Sequence, residues 1–390
     1  MLPEWKDLMD RLAPIGERIA ANLWHKEDPC ARQELWRMLS ACAAQGYCGA
    51  LWADPDYPSW VPFLNIGLNI AAPVPDFMYL GSPVHGNGVY RIAGDRGTAH
   101  FVDISMGAGN YARDDAPGPS LGSYDLDDLR IGPDRSFNVI MSNERPAGWD
   151  GDWWRLDPRT KGLGVRVASY DWLNEIDPRL TIERLDIPAL KPRLSAEEIG
   201  ARLELWTRWV ERGVDRWILH VQAQRAKGVV NDVVVHDYAS MGGFIGQVYL
   251  EGIYDLAPDE ALILDTALPR TCRYWSFLLT DDLFATVDWM NRQSSLNGYQ
   301  ARVDADGRFR AVIAMQDPGV PNWLDTGGYG QGLIQGRWNK ADSAPQPVLT
   351  KVKLGDLRRH LPADTPVVTP AERDAALRVR RQGAQLRRLW

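Results

Sequence analysis

Two stretches of this chain read alike. Residues 133–172 run PDRSFNVIMSNERPAGWDGDWWRLDPRTKGLGVRVASYDW, and residues 305–338 run ADGRFRAVIAMQDPGVPNWLDTGGYGQGLIQGRW. In each, a polar turn leads to a phenylalanine (Phe137, Phe309) and an apolar run. A Pro/Gly bend follows, then a tryptophan-bearing turn (Trp153, Trp323) and a run carrying an arginine (Arg166, Arg337). The phenylalanine-to-tryptophan spacing differs by two residues and the tryptophan-to-arginine spacing by one, as loop insertions between matched strands would leave it. A repeated β-unit of this length predicts two related modules packed together.

The surrounding text fits that prediction. GVYRIAG, TAHFVDIS, SFNVIMS, LGVRVASYDW and LTIERLD alternate or favour β-branched residues, with Gly, Pro, Asp and Asn clusters between them. This pattern is expected of antiparallel sandwich strands. NDVVVHDY, GFIGQVYLEGIYDL, EALILDT, RYWSFLLT, GYQARVDADGRFRAVIAM and GLIQGRW supply a second set. Helices flank them. Trp5, Leu8, Leu12, Ile15, Ile19 and Leu23 recur at helical spacing, with Pro14 expected to kink or divide the segment. Asp28-Pro29 opens a second helix that stops near Gly46, and Ser195 with Glu198 caps a third bearing Ile199, Leu203, Trp206, Val210, Val214 and Trp217. Thr369, Pro370 and Glu372 start a basic C-terminal helix, whose arginines are expected on a solvated face. The expected fold is mainly β with flanking helices (α+β). It divides into an N-terminal helical segment (1–50), a first sandwich module (51–190), a linking helix (191–228), a second module (229–350) and a C-terminal tail and helix (351–390).

The phrase DPGVPNWLDTGGYGQGLIQGRW, preceded by APDEALILDT, RYWSFLLTDD and SSLNGYQARVDADGRFRAV, resembles a bacterial family known as domain of unknown function 1214. Upstream, VPDFMYLGSPVHGNGVYRIAG and SNERPAGWDGDWWRL through VRVASYDW and IERLD resemble the companion half of its standalone members. The likeness spans most of residues 50–345 and implies β-sandwich, jelly-roll-like modules. It implies little about chemistry.

Composition narrows the function. The net charge of −7 offers no basic field for nucleic acid or an anionic membrane, so neither is expected as a partner. The first twenty residues mix charges of both signs and lack an apolar signal region, and Pro58, Pro62, Pro73 and Pro75 interrupt the longest uncharged stretch. A cytoplasmic protein is expected. Cys30, Cys42, Cys48 and Cys272 form no CxxC pair, and the six histidines are scattered singly. Nucleotide-loop and metalloprotease motifs are missing too, so no metal or cofactor is expected.

With 17 Trp and 13 Tyr, the chain suggests an aromatic-lined pocket between the modules. The expected function is a cofactor-independent enzyme acting by acid–base chemistry on a hydrophobic, aromatic or polycyclic small molecule: a lyase, isomerase or hydrolase. The alternative is a carbohydrate-binding or glycan-processing sandwich. His236, beside Asp237 and Tyr238, and Asp317 are the candidate bases, and Tyr249 and Tyr274 the candidate acids. Strand alternation places Tyr249 with Glu251 on one face, and Tyr274 with Ser276 opposite Trp275 and Phe277. Asn322, Trp323, Asp325, Arg337, Trp275, Tyr79 and His85 are the candidate substrate contacts. Arg337 is read either as a planar clamp for a carboxylate or as a brace paired to a turn aspartate. The sequence leaves a homo-oligomer open.

Overall fold

The computed structural model describes residues 2–388, except 22, 24, 25, 110–113, 115–117, 237 and 239–242. Nine strands form the first half: β1 (Val61–Leu64), β2 (Phe77–Pro83), β3 (Tyr90–Asp95), β4 (Phe101–Gly107), β5 (Ser120–Asp125), β6 (Ser136–Ser142), β7 (Asp152–Arg155), β8 (Gly162–Ala168) and β9 (Arg179–Arg184). Nine more form the second: β10 (Val234–His236), β11 (Gln247–Asp255), β12 (Glu260–Ala267), β13 (Cys272–Leu279), β14 (Ser295–Asn297), β15 (Arg308–Ala314), β16 (Trp323–Asp325), β17 (Gln331–Ala341) and β18 (Val348–Lys353).

The sheet orders show the duplication. The first half pairs as β1-β2-β8-β4-β5 and β7-β6-β3-β9; the second pairs as β10-β11-β17-β13-β14 and β16-β15-β12-β18. Advancing every first-half label by nine gives the second half. The repeated tryptophans also coincide. Trp153 lies opposite Ile140, three residues after Phe137, and Trp323 lies opposite Val312, three residues after Phe309. One detail departs from expectation. β6 with β7 and β15 with β16 run parallel, so the sandwiches are not purely antiparallel. The Pro/Gly bend between each pair carries the chain back to re-enter in the same direction.

Each sandwich has its own core. Met78, Leu80, Ile104, Val139 and Val165 are among the residues filling the first, and Leu250, Leu264, Phe277, Phe309 and Trp338 among those filling the second. The alternate residues of β2, β8, β11, β13 and β17 point out of the cores, and there the two halves meet. Phe77, Phe101, Phe244, Tyr274 and Leu278 pack across this seam.

Helices α1 (Trp5–Ala20), α2 (Pro29–Gly46) and α3 (Ala196–Ala226) form a layer whose buried residues include Ile15, Ile19, Leu35, Met38, Val210 and Val214. Pro14 does not divide α1, which runs unbroken through it. Pro14 is exposed, where water can reach the carbonyl that the proline leaves unpaired. The capping box of α3 is present: Ser195 Oγ accepts from the Glu198 N–H at 3.2 Å, and Glu198 accepts from the Ser195 N–H at 2.7 Å. Because α3 seats Trp206 and Trp209 on Ala43 and Gln45, its start matters to the whole layer. Ser195→Ala is expected to lower stability by about 1 kcal/mol, read as a lower urea midpoint with an unchanged slope.

Helix α4 (Pro370–Leu386) corrects another expectation. Its arginines do not all face solvent. Arg373, at 6% exposure, bonds Asp317 and the Val320 carbonyl. Arg380 lies over the Trp172 ring and donates to Ser295 Oγ. Beyond the helix end, Arg387 pairs with buried Asp177. These three arginines, seven residues apart, clamp the C-terminal segment across both modules.

A candidate active site at the module seam

A cavity of about 220 Å³ opens between the two halves. β2 and β8 form one wall and β11 and β17 the opposite one, while α3 contributes Trp209, Gly213 and Trp217. Phe63, Leu64, Ala72, Val74, Phe77 and Phe284 make most of the rest apolar.

The duplication gives this cavity paired polar groups. Tyr79 on β2 lies opposite Arg166 on β8, and Tyr249 on β11 lies opposite Arg337 on β17. All four line the cavity. The tyrosines are held alike: each oxygen accepts a backbone N–H from five residues upstream, Val74 to Tyr79 at 3.2 Å and Phe244 to Tyr249 at 2.9 Å. Neither phenolic proton has an acceptor among the described residues. Burial pushes the Tyr79 phenol up to about 12, so it stays a donor at neutral pH.

Two strand positions on, the halves diverge. The first carries Gly81 opposite Gly164, while the second carries Glu251 opposite Gln335. Glu251 is 1% exposed. It interacts with His220 Nε2 at 2.9 Å and accepts from the Tyr238 hydroxyl at 2.7 Å and the Gln335 amide at 2.6 Å. Burial pushes its carboxyl up, but the groups facing it, His220 first, more than offset that and hold it below the usual range. Burial and the adjacent Glu251 charge push the Tyr238 phenol far up. Tyr238 and Gln335 line the cavity, with Glu251 and His220 directly behind them.

Arg337 is 2% exposed. It donates to Gln335 Oε1 at 2.9 Å and, more distantly, to Ser276 Oγ at 3.4 Å, while its Nε–H has no partner among the described residues. Ser276 leads on to Tyr274, 2.8 Å away, whose hydroxyl donates to buried Asp76 at 2.7 Å. Tyr274 is thus one step behind the cavity. Burial and the Asp76 charge push its phenol well up.

Of the candidate site residues singled out from the sequence, Tyr79, Tyr249 and Arg337 converge here, joined by Tyr238 and Glu251, which the sequence placed only as neighbours of candidates, with Tyr274 one step behind. The remaining candidates lie elsewhere. His236 is on the edge strand β10 beside Lys227, and its ring is pulled down chiefly by burial. Asp237 lies outside the described residues. Asp317 bonds Arg373 and the Gly319 N–H. Asn322 bonds the backbone of Arg302 and Arg310, Trp323 donates to the Ala314 carbonyl, and Asp325 pairs with Arg292. Trp323 and Asp325 lie in β16 itself rather than in a turn, and with Asn322 they brace the outer sheet. Trp275 packs in the second core, and His85 pairs with Asp56 near the surface. Among the described residues, Arg337 has no turn aspartate as partner.

Sequence reasoning missed His220, Gln335, Trp209 and Phe284 as site residues. His220 follows Trp217 by one helical turn, and Gln335 precedes Arg337 by two on a strand. The strand spacing places Gln335 on the same face as Arg337, which the sequence had singled out; the helical spacing places His220 only beside the apolar stripe of α3. Among the described residues, no group of three or more His, Cys, Asp or Glu side chains is placed to hold a metal ion, and no helix is long and apolar enough to cross a membrane.

Fold and site together define a duplicated β-sandwich protein with a cavity at the seam of its halves. Residues 255–333 match the model of a family described as protein of unknown function (DUF1214), and the chain belongs to that family. An uncharacterized protein from Burkholderia cenocepacia is 30% identical, with a TM-score of 0.83 over 90% of this chain and 97% of that one. The VPA0106 protein from Vibrio parahaemolyticus is 13% identical over 89% of this chain and 99% of that one, with a TM-score of 0.47. No curated protein matches the sequence.

Proposed function

We propose that this chain is a cofactor-independent acid–base enzyme acting on a hydrophobic small molecule held in the seam cavity. One observation carries the reading: the buried Glu251, held by His220, Tyr238 and Gln335, is linked to a mostly apolar cavity through the Tyr238 hydroxyl. A C–H beside a substrate carbonyl gives its proton to the Tyr238 oxygen as Tyr238 passes its own proton to Glu251. The negative charge then develops on the carbonyl oxygen, where the O–H groups of Tyr79 and Tyr249 receive it. Return of the proton to another carbon isomerises the substrate; loss of a β-substituent eliminates it. A mostly apolar, walled cavity suits this chemistry better than it suits a sugar platform.

The test is α-proton exchange in D2O, followed by NMR, with 2-tetralone and 3-benzoylpropionate as probes. The expected result is exchange well above the buffer rate, lowered at least about 100-fold by Glu251→Gln or Tyr238→Phe. Exchange no faster than buffer with both probes would overturn the reading.

A further inference from the structure

We infer that the substrate carries a carboxylate on an aromatic body, and that Arg337 holds that carboxylate. This deepens the acid–base reading of the same cavity and rests on it for where the substrate sits.

Arg337 is a cavity-lining guanidinium at 2% exposure, and no carboxylate pairs with it among the described residues. Its surroundings keep acids from filling that role. Glu251, on the adjoining strand, is already engaged by His220, Tyr238 and Gln335, and the Gln335 amide stands between it and the guanidinium. Asp76 is reached only through Ser276 and Tyr274. Buried charges in folded proteins are ordinarily paired, and a planar guanidinium pairs best with a planar carboxylate.

Gln335 does more than separate the two. By accepting from Arg337 and donating to Glu251 it fixes the orientation of the fork, whose buried Nε–H has no partner among the described residues. Arg166, the counterpart of Arg337 in the first half, lines the same cavity and adds a second positive charge. The Tyr79 phenol lies in the field of both arginines.

The remaining walls describe the body of the ligand. Phe63, Phe77, Trp209, Trp217 and Phe284 offer ring faces and edges. At about 220 Å³, the space lies below the roughly 300–1,000 Å³ of drug-sized sites, which points to one or two rings.

Calorimetric titration of the full chain with 2-naphthoate and its near-isostere 2-naphthamide tests this. The acid is expected to bind at least tenfold tighter than the amide. Arg337→Gln should remove that preference while leaving amide binding unchanged, and Arg337→Lys should keep part of it. Equal affinities for acid and amide in the wild-type protein would overturn the inference even if the variants fail to fold. So would an acid that does not bind at millimolar concentration, or a preference that survives in Arg337→Gln. Acid-selective binding without α-proton exchange would sink the acid–base reading and leave the carboxylate site standing. Exchange without acid selectivity would do the reverse.

Discussion

Asp76→Ala is expected to destabilise the protein by about 4 kcal/mol, the largest loss of any single side-chain truncation at the seam. Asp76 is 1% exposed and accepts three hydrogen bonds from three parts of the chain. Trp172 and Asn297 donate to one oxygen at 2.9 and 2.7 Å, and Tyr274 donates to the other at 2.7 Å. Tyr274 and Asn297 belong to the second module, so this one carboxyl ties the two halves together. Its backbone carbonyl also accepts from Arg387 at 3.0 Å, which brings in the C-terminal segment. Truncation leaves three buried donors unsatisfied at about 1–3 kcal/mol each, and they share one site, so the losses do not simply add. Asp76→Asn should also destabilise, because its amide nitrogen would face donors. Urea unfolding followed by tryptophan fluorescence checks both. A loss below about 1 kcal/mol for Asp76→Ala would show that water replaces the carboxylate at no great cost.

The sequence exposed the architecture through one kind of signal. A pleated strand alternates sides, so a duplicated strand repeats its pattern, and the Phe137/Phe309, Trp153/Trp323 and Arg166/Arg337 matches reported a duplication that the sheet orders reproduce label for label. Alternation also placed Tyr249 with Glu251, and Tyr274 with Ser276, on one face of their strands, the face that the structure turns to the seam. What it did not reveal is which turn residues are free. Asn322, Trp323 and Asp325 have the composition of a binding turn, yet their polar atoms are bonded to backbone and arginine nearby. A turn that braces and a turn that binds draw on the same residue types. β2 was hidden for a related reason. Pro75, Gly81 and Pro83 surround Tyr79, and the segment is not among the runs that read as strands, although it pairs with β8 along its whole length. The α4 arginines misled through charge alone; their seven-residue spacing, one face of a helix, was the better guide.

The stability of this protein is expected to fall as pH rises from about 4 to 7, and Asp281→Asn is expected to remove much of that fall. Asp281 is buried after β13, where one of its oxygens accepts the N–H groups of Leu283 and Ala285, each at 2.9 Å. Burial pushes its carboxyl up to about 7; the two N–H groups pull the other way, and nearby Glu34 and Asp282 add to the rise. In the unfolded chain the same group ionises near about 4. Between those values the unfolded state loses its proton while the folded state keeps it, so unfolding becomes easier as pH rises. Each pH unit costs roughly 1.4 kcal/mol, to a limit of about 4 kcal/mol once the folded group also ionises. Asp103, pushed up to about 6 mainly by burial, adds to the same slope over a narrower span. Carboxylates held low act in the opposite sense and only in more acidic solution. In Asp54, burial is outweighed by Lys191 and Arg202, leaving it at about 2, so its contribution is lost as pH falls below about 4. The amide introduced by Asp281→Asn keeps an acceptor for both N–H groups and cannot ionise. The stability difference between Asp281→Asn and wild type should therefore grow in favour of the variant from pH 4.5 to pH 7 and then level off. Urea midpoints at four or five pH values measure it; a difference that stays flat across that range would mean Asp281 ionises in the folded protein as easily as in the unfolded chain.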